Sequence, residues 1–221
     1  SAGLIRFDPE KETFTQYQND PGHPHSLSSN AVLSIFQDRE GDLWISTLGG
    51  LDKFHPGTGT FTHYREKDGM PNDTVHCTLE DGGGNLWVST NKGLSRFDPQ
   101  REIFKNYDVT DGLQSNEFNA SSCHMSDSEE MFFGGINGFN VFFSEHVQDN
   151  PTVPPVVLTY LAQGGEEVNL GIAVDSVTEV TLAWPDNAFE FEFAALSYAQ
   201  DKKNQHAYML EGFDEDWNEI G

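Results

Sequence analysis

The sequence predicts an all-β protein whose larger part is an arc of β-propeller blades, and three observations carry that prediction. A gapless frame, G-L-x-[R/K]-F-[D/H]-P-x4-F-x2-Y, occupies residues 3–17, 50–64 and 93–107. A second frame, an apolar strand followed by D-x-x-G-x-L-W-x-S-T, runs from Val32 to Gly50 and again, 43 positions later, from Val75 to Gly93. The apolar runs are short, alternating and aromatic, cut by Gly, Pro and Asp, so the two long segments of 3.6-residue periodicity that a helical repeat needs are missing. Four strands of about 5 residues in a unit of roughly 40 to 45 describe one propeller blade.

Taken in order, residues 3–17 read as the last two strands of an earlier blade. Leu4 and Leu51 are 47 apart, so the next interval carries 4 extra residues, in the loop at 22–29 that holds His23-Pro24-His25. The first whole unit reads as strands 32–36, 43–47, 50–55 and 60–64, and its counterparts follow 43 residues on. Asp38 with Gly41, and Asp81 with Gly84, are turn residues: the carboxylate accepts backbone N–H groups and glycine supplies a positive φ. The oxygen ligands of a calcium loop do not accompany them. Trp44 and Trp87 follow these turns at one place in the strand, as blade-to-blade packing requires, and sugar stacking is the less ordinary use of such a repeated ring. A fourth unit is altered: 118–124 is its inner strand, 131–135 replaces the tryptophan strand, and Asn137-Gly138-Phe139 replaces the Gly-Leu turn.

A proline-rich stretch through Pro154-Pro155 marks a boundary, giving units 1–150 and 151–221. Beyond it, 156–161 opens a new strand set, and Phe189-Glu190-Phe191-Glu192-Phe193 alternates strictly, aromatic face inward and carboxylates in water. The 36 acidic residues against 12 basic ones leave a formal charge of −24. Such a field repels phosphate backbones and anionic headgroups, which argues against nucleic acid and against membrane contact by this chain. No apolar run approaches the roughly 18 residues of a membrane span. Cys77 and Cys123 are too few for a disulfide framework; they fall near corresponding inner-strand positions of adjacent blades, where a bridge is conceivable but free thiols are the plainer expectation.

The repeats resemble the two-component-regulator propeller repeats in the extracytoplasmic sensor regions of bacterial hybrid histidine kinases and some diguanylate cyclases. The stretch 112–119, with 133–138, resembles that family's last blade. The segment 208–217 is similar to the immunoglobulin-like, triple-tyrosine domain that follows such propellers; Tyr208 is the one tyrosine of the name present, and Trp217 is expected as a structural residue of the sandwich. The resemblance implies a partial propeller of about three four-stranded blades plus two strands of another, then an incomplete immunoglobulin-like sandwich. It also implies a non-enzymatic periplasmic module of a membrane-anchored receptor. Its ligand would be a small molecule or an oligosaccharide, with no cofactor. Family propellers have about seven blades, so these blades form a C-terminal arc with open edges, through which two copies are expected to pair as a homodimer.

Ligands of propellers meet the loops at one mouth of the channel. On the loops entering each first strand, Asn30, Asp73, His76, Asn116 and Asn119 are the candidate ligand contacts, and Glu117 adds a further polar group. Catalysis has few footholds. Glu190 and Glu192 are paired carboxylates about 7 Å apart along a strand, a spacing that invites a glycosidase assignment but that a solvated strand face explains far better. His23 and His25 lack identifiable further metal ligands, and no nucleophile sits in a known motif. A polysaccharide lyase or hydrolase, and a protein-interaction scaffold, are the competing classes.

Overall fold

Alternation of apolar and polar residues, broken by Asp-x-x-Gly and Thr-x-x-Gly turns, builds the sheets in the order the repeat dictates. The structure is a computed structural model describing residues 2–148, 155–169, 176, 179–181, 188–196 and 206–220. The chain divides into two compact units, Ser1–Gln148 and Asp149–Gly221. The proline-rich boundary at 150–154 lies outside the described residues.

In the first unit, β1 (Leu4–Asp8) and β2 (Thr13–Tyr17) form a hairpin. Strands β3 (Val32–Gln37), β4 (Leu43–Thr47), β5 (Gly50–His55) and β6 (Thr60–Tyr64) make an antiparallel sheet in sequential order. Its copy follows as β7 (Val75–Glu80), β8 (Leu86–Thr90), β9 (Gly93–Asp98) and β10 (Ile103–Tyr107). The altered unit has three described strands, β11 (Phe118–Met125), β12 (Glu130–Gly135) and β13 (Gly138–Phe143). After Phe143 it has no F-x2-Y segment to supply a fourth, and the chain enters a short 3-10 turn at Ser144–His146.

The repeated spacing becomes repeated register. Trp44 stands opposite Lys53, and Trp87 opposite Arg96. Asp38 accepts the Asp42 N–H at 2.8 Å through Oδ1 and the Trp44 indole N–H at 2.8 Å through Oδ2. Asp81 repeats the arrangement, taking the Gly83 and Asn85 N–H groups and the Trp87 indole N–H, each at 2.9 Å. Thr47 and Thr90 donate to the carbonyls of Gly50 and Gly93 at 3.0 and 2.8 Å, closing the next turn.

Gly93 has φ +116°, and a Cβ there would fall 2.2 Å from the Tyr107 carbonyl oxygen. Gly93→Ala is therefore expected to lower unfolding free energy by at least about 1–3 kcal/mol, read from the urea midpoint. Gly57→Ala, where nothing lies within 4 Å of the new methyl, is the matched control and should leave the midpoint in place.

Three apolar clusters cement one sheet to the next. Leu27, Ile45, Phe54 and Phe61, with Leu4 and Tyr17 packed against them, join the β1–β2 hairpin to the first sheet. Trp44, Tyr64, Leu86 and Phe97 join the first sheet to the second. Leu79, Trp87, Phe118 and Phe133 join the second to the third. Each of the two repeat tryptophans reaches a phenylalanine of the following sheet, Trp44 to Phe97 at 6.0 Å and Trp87 to Phe142 at 4.8 Å between ring centroids. These rings pack blades together, as the repeat implied.

Within this core Tyr64 donates to Glu102 Oε1 at 3.2 Å. Burial first, and the neighbouring Glu102 charge second, push the phenol up to about 12 from 10.0. The native state thus holds this proton more tightly than the unfolded chain. The stability it contributes is complete below pH 10 and declines as pH rises from 10 toward 12. Tyr64→Phe should remove that part of the alkaline loss, measured as the difference between the two proteins' denaturant midpoints across this range.

Every residue of β7 is buried, including Glu80 and Thr78. The neighbouring inner strands explain it. β11 bulges between Phe118 and Cys123, and Ser121 Oγ donates to the Leu33 carbonyl at 2.6 Å while Arg39 pairs with Glu129 at 3.3 Å. Both links tie the first sheet to the third across the second. Cys77 and Cys123 are joined by a disulfide, with Cα atoms 6.1 Å apart. Free thiols were the plainer expectation; the β11 bulge brings Cys123 beside β7.

The second unit pairs β14 (Val156–Gln163) with β15 (Glu166–Glu167) and β16 (Phe189–Ala195), and pairs β17 (His206–Tyr208) with β18 (Asn218–Ile220). Phe191 meets Tyr208 edge-on at 5.7 Å, a contact between the two sheets. Glu190 and Glu192 are exposed beside the stacked Phe189, Phe191 and Phe193 rings. Trp217 departs from expectation: it precedes β18 and is 65% exposed, because none of the described strands of this unit covers it.

Candidate functional site

Three of the five candidate ligand contacts are one position of the repeat. Asn30, Asp73 and Asn116 are spaced by 43, and each side-chain Oδ1 accepts a backbone N–H from the connection before it: Asn19 at 2.8 Å, Glu66 at 2.7 Å and Val109 at 2.9 Å. The carbonyls of Asn30 and Asn116 also take the N–H groups of Gly3 and Gly93. These side chains peg each inter-blade connection to the following strand.

His76 and Asn119 lie on the inner-strand bulges, one repeat apart. His76 is 8% exposed; its Nε2 is 2.7 Å from Asn91 Oδ1, and its Nδ1 has no partner. Asn119 is exposed on β11. None of the five candidates lines either of the two cavities below.

The first cavity, about 540 Å³, lies between the Asp81 turn and the third sheet and is lined by Asn85, Arg96, Glu129 and Glu145 among others. Its central groups belong to the frame: Asp81 is occupied by its turn and by Trp87, and Arg96 lies 6.0 Å over the Trp87 ring.

The second cavity, about 380 Å³, is built by the inserted loop that sets this blade apart. Asp20 organises the loop, accepting the Gly22 N–H at 2.9 Å and lying 2.7 Å from His23 Nδ1. The Gly22 bond first and the His23 bond second hold its carboxyl below the usual range. Ser26 Oγ both accepts from the Asp20 N–H and donates to its carbonyl, and Asn19 Nδ2 donates to the carbonyls of Leu27 and Ser28. Beneath lies Asp52, fully buried. It accepts the Ser28 N–H at 2.8 Å and lies 2.7 Å from His63 Nδ1, while His63 Nε2 donates to the Pro24 carbonyl at 2.9 Å. In the next sheet Ser95 and Asn106 hold the places of Asp52 and His63: Ser95 Oγ donates to Asn106 Oδ1 at 2.7 Å, and Asn106 Nδ2 donates to the Gly69 carbonyl at 2.9 Å. The Asp52–His63 pair is thus the adaptation that seats the insert. Arg65 and Lys67 complete the wall.

The sequence showed the insertion but not the pocket, since His63 and the Pro24 carbonyl meet only after folding across 39 residues. Polarity on the first-strand loops drew attention to residues that serve the frame. Within the site, a guanidinium with no carboxylate partner among the described residues, an ammonium and the Nε2 edge of His23 offer donors around a space of small-ligand size.

Sequentially ordered antiparallel sheets of one repeated sequence, cemented by buried tryptophans, define a propeller arc. Residues 26–49 and 69–92 match the two component regulator propeller family, and these segments are two component regulator propeller repeats. The chain is 28% identical over 273 aligned positions to histidine kinase P4 of Formosa agariphila, an alignment covering 98% of this chain and 20% of the kinase. It also superposes on the crystal structure of the extracellular domain of a hybrid two component system from B. thetaiotaomicron, with a TM-score of 0.53 and 21% identity over 99% of this chain and 38% of that one. The chain thus spans a fifth of the curated relative and well under half of the solved one.

Proposed function

We propose that this chain is the ligand-sensing part of an extracytoplasmic receptor, binding a small molecule or oligosaccharide without transforming it. The observation that carries the reading is the division of labour in the first unit. Repeat residues are consumed by turns, pegs and inter-blade packing, while the one inserted loop encloses a cavity of about 380 Å³. Similarity to a histidine kinase and to an extracellular domain of a hybrid two component system supports a sensor. The Cys77–Cys123 bridge supports an oxidising compartment, the periplasm, since such bonds persist there and are rare in the cytosol. In this reading the propeller recognises, the triple-tyrosine-like sandwich relays, and a membrane-anchored kinase or cyclase responds in the whole protein.

Two copies would pair through the open edge of β13, which has no outer strand among the described residues and presents exposed Phe139 and Val141. With −24 on each chain, pairing must overcome repulsion, so sedimentation should show dimer increasing with salt. A monomer at all salt concentrations contradicts it.

The test of the main reading is thermal melting of the chain with a panel of neutral and charged oligosaccharides, with mass spectrometry of each compound afterwards. A ligand that binds only the folded state raises the midpoint. Raised midpoints with the compound intact support sensing; accumulating product, or a midpoint that no compound moves, overturns it.

A further inference from the structure

The cavity under the inserted loop carries more than its volume. Arg65 and Lys67 line it, whereas Glu66 and Asp68, alternating with them on the same turn, do not. Glu66 Oε1 accepts from Asn72 and Asp68 Oδ2 accepts the Arg65 N–H, so both acidic neighbours are engaged elsewhere. Among the described residues neither cation has an acidic partner, although acidic residues outnumber basic ones threefold in this chain. Lys11, Arg39, Lys53 and Arg101, by contrast, all pair with carboxylates. The Arg65 Nε–H is closed off from solvent and without a hydrogen-bond partner. The carboxylate at the rim, Asp20, is already taken by His23 and the Gly22 N–H. One repeat later, Asp108 and Thr110 replace Arg65 and Lys67, so the blade frame does not require the cations.

We propose that this cavity binds the oxyanion of an acidic sugar unit, a carboxylate or a sulfate ester, between Arg65 and Lys67. The guanidinium presents a planar fork suited to two oxygens, and the ammonium adds a mobile point charge. The His23 ring and the Asn19 amide at the rim lie within reach of sugar hydroxyls. A cavity of 380 Å³ admits about one to two rings. The proposal rests on the sensor reading above and names the chemistry of its ligand.

Isothermal titration of the 221-residue chain with glucuronate, glucose 6-sulfate, glucose and inorganic sulfate tests it. Glucuronate and glucose 6-sulfate are expected to bind more tightly than glucose or inorganic sulfate, and more weakly as salt rises. Arg65→Gln and Lys67→Gln should each weaken that binding by about tenfold or more, with melting midpoints unchanged, while Arg101→Gln should leave it intact. Acidic sugars binding no better than glucose, or binding that survives both substitutions, overturns the proposal. If a neutral oligosaccharide still raises the melting midpoint of Arg65→Gln, the pocket assignment falls and the sensor reading stands. If no sugar of either kind binds, both fall.

Discussion

Replacing Trp87 by alanine is expected to lower the unfolding free energy by about 3–5 kcal/mol, the range for deleting a large, enclosed aromatic ring. Trp87 is 1% exposed and lies against Tyr107 at 5.4 Å and Phe142 at 4.8 Å, so it belongs to the seam between the second and third sheets. Its indole N–H donates to Asp81 Oδ2 at 2.9 Å, and the substitution leaves that buried carboxylate oxygen with only the longer bond from Asn85 Nδ2, at 3.2 Å. Trp87→Phe separates the two effects. It keeps one aromatic ring in the seam and loses the N–H with the rest of the indole, so a smaller loss of roughly 1–3 kcal/mol is expected. Urea unfolding followed by fluorescence of the remaining tryptophans reads both. Trp217→Ala is the contrast: at 65% exposure, the change should stay within about 0.5 kcal/mol.

The second large effect is expected on breaking the Cys77–Cys123 bridge. The two residues are 46 apart in sequence, and closing a loop of that length in the unfolded chain is worth about 4 kcal/mol in the chain-entropy treatment. Cys77→Ser combined with Cys123→Ser should therefore shift the denaturant midpoint by an amount comparable to that of Trp87→Ala. Reductant should reproduce the shift in the native protein and have none in the double variant. An unchanged midpoint in both experiments would mean that the inner strands β7 and β11 hold together without the bond.

Most of the frame was legible because its physics is local and repeated. A strand needs alternation, a tight turn needs Asp or Gly at a fixed offset, and a recurrent tryptophan needs a seam; each signal appears at 38–47 and again 43 residues later. The observed strands follow, with β3 and its copy β7 each reaching one residue further, to Gln37 and Glu80, than the sequence suggested. The Asp38–Trp44 and Asp81–Trp87 bonds were hidden because a turn aspartate and an indole each have a sufficient reason to be where they are. Asn30, Asp73 and Asn116 illustrate a different limit. A backbone peg and a ligand contact both call for an amide or carboxylate on a loop, and only the observed hydrogen bonds distinguish them.

What was not legible depends on chain segments meeting at long range. The disulfide needed the β11 bulge, which extends one strand relative to its partner and alters the simple 43-residue correspondence. The cavity needed the inserted loop to be clamped by Asp52 and His63, two residues at positions the frame leaves free. The exposure of Trp217 could not be inferred from the aromatic and acidic pattern around it, because that pattern suits the surface of a strand pair as well as its interior.

The central claim is that the repeat builds the scaffold and the insertion builds the site, and the most direct measurement compares Trp87→Phe with Arg65→Gln for melting midpoint and glucuronate affinity together. The account predicts a lower midpoint with unaltered affinity of the folded protein for Trp87→Phe, and an unaltered midpoint with affinity reduced by about tenfold or more for Arg65→Gln. Midpoint and affinity falling together in both variants, or affinity falling only in Trp87→Phe, would contradict it.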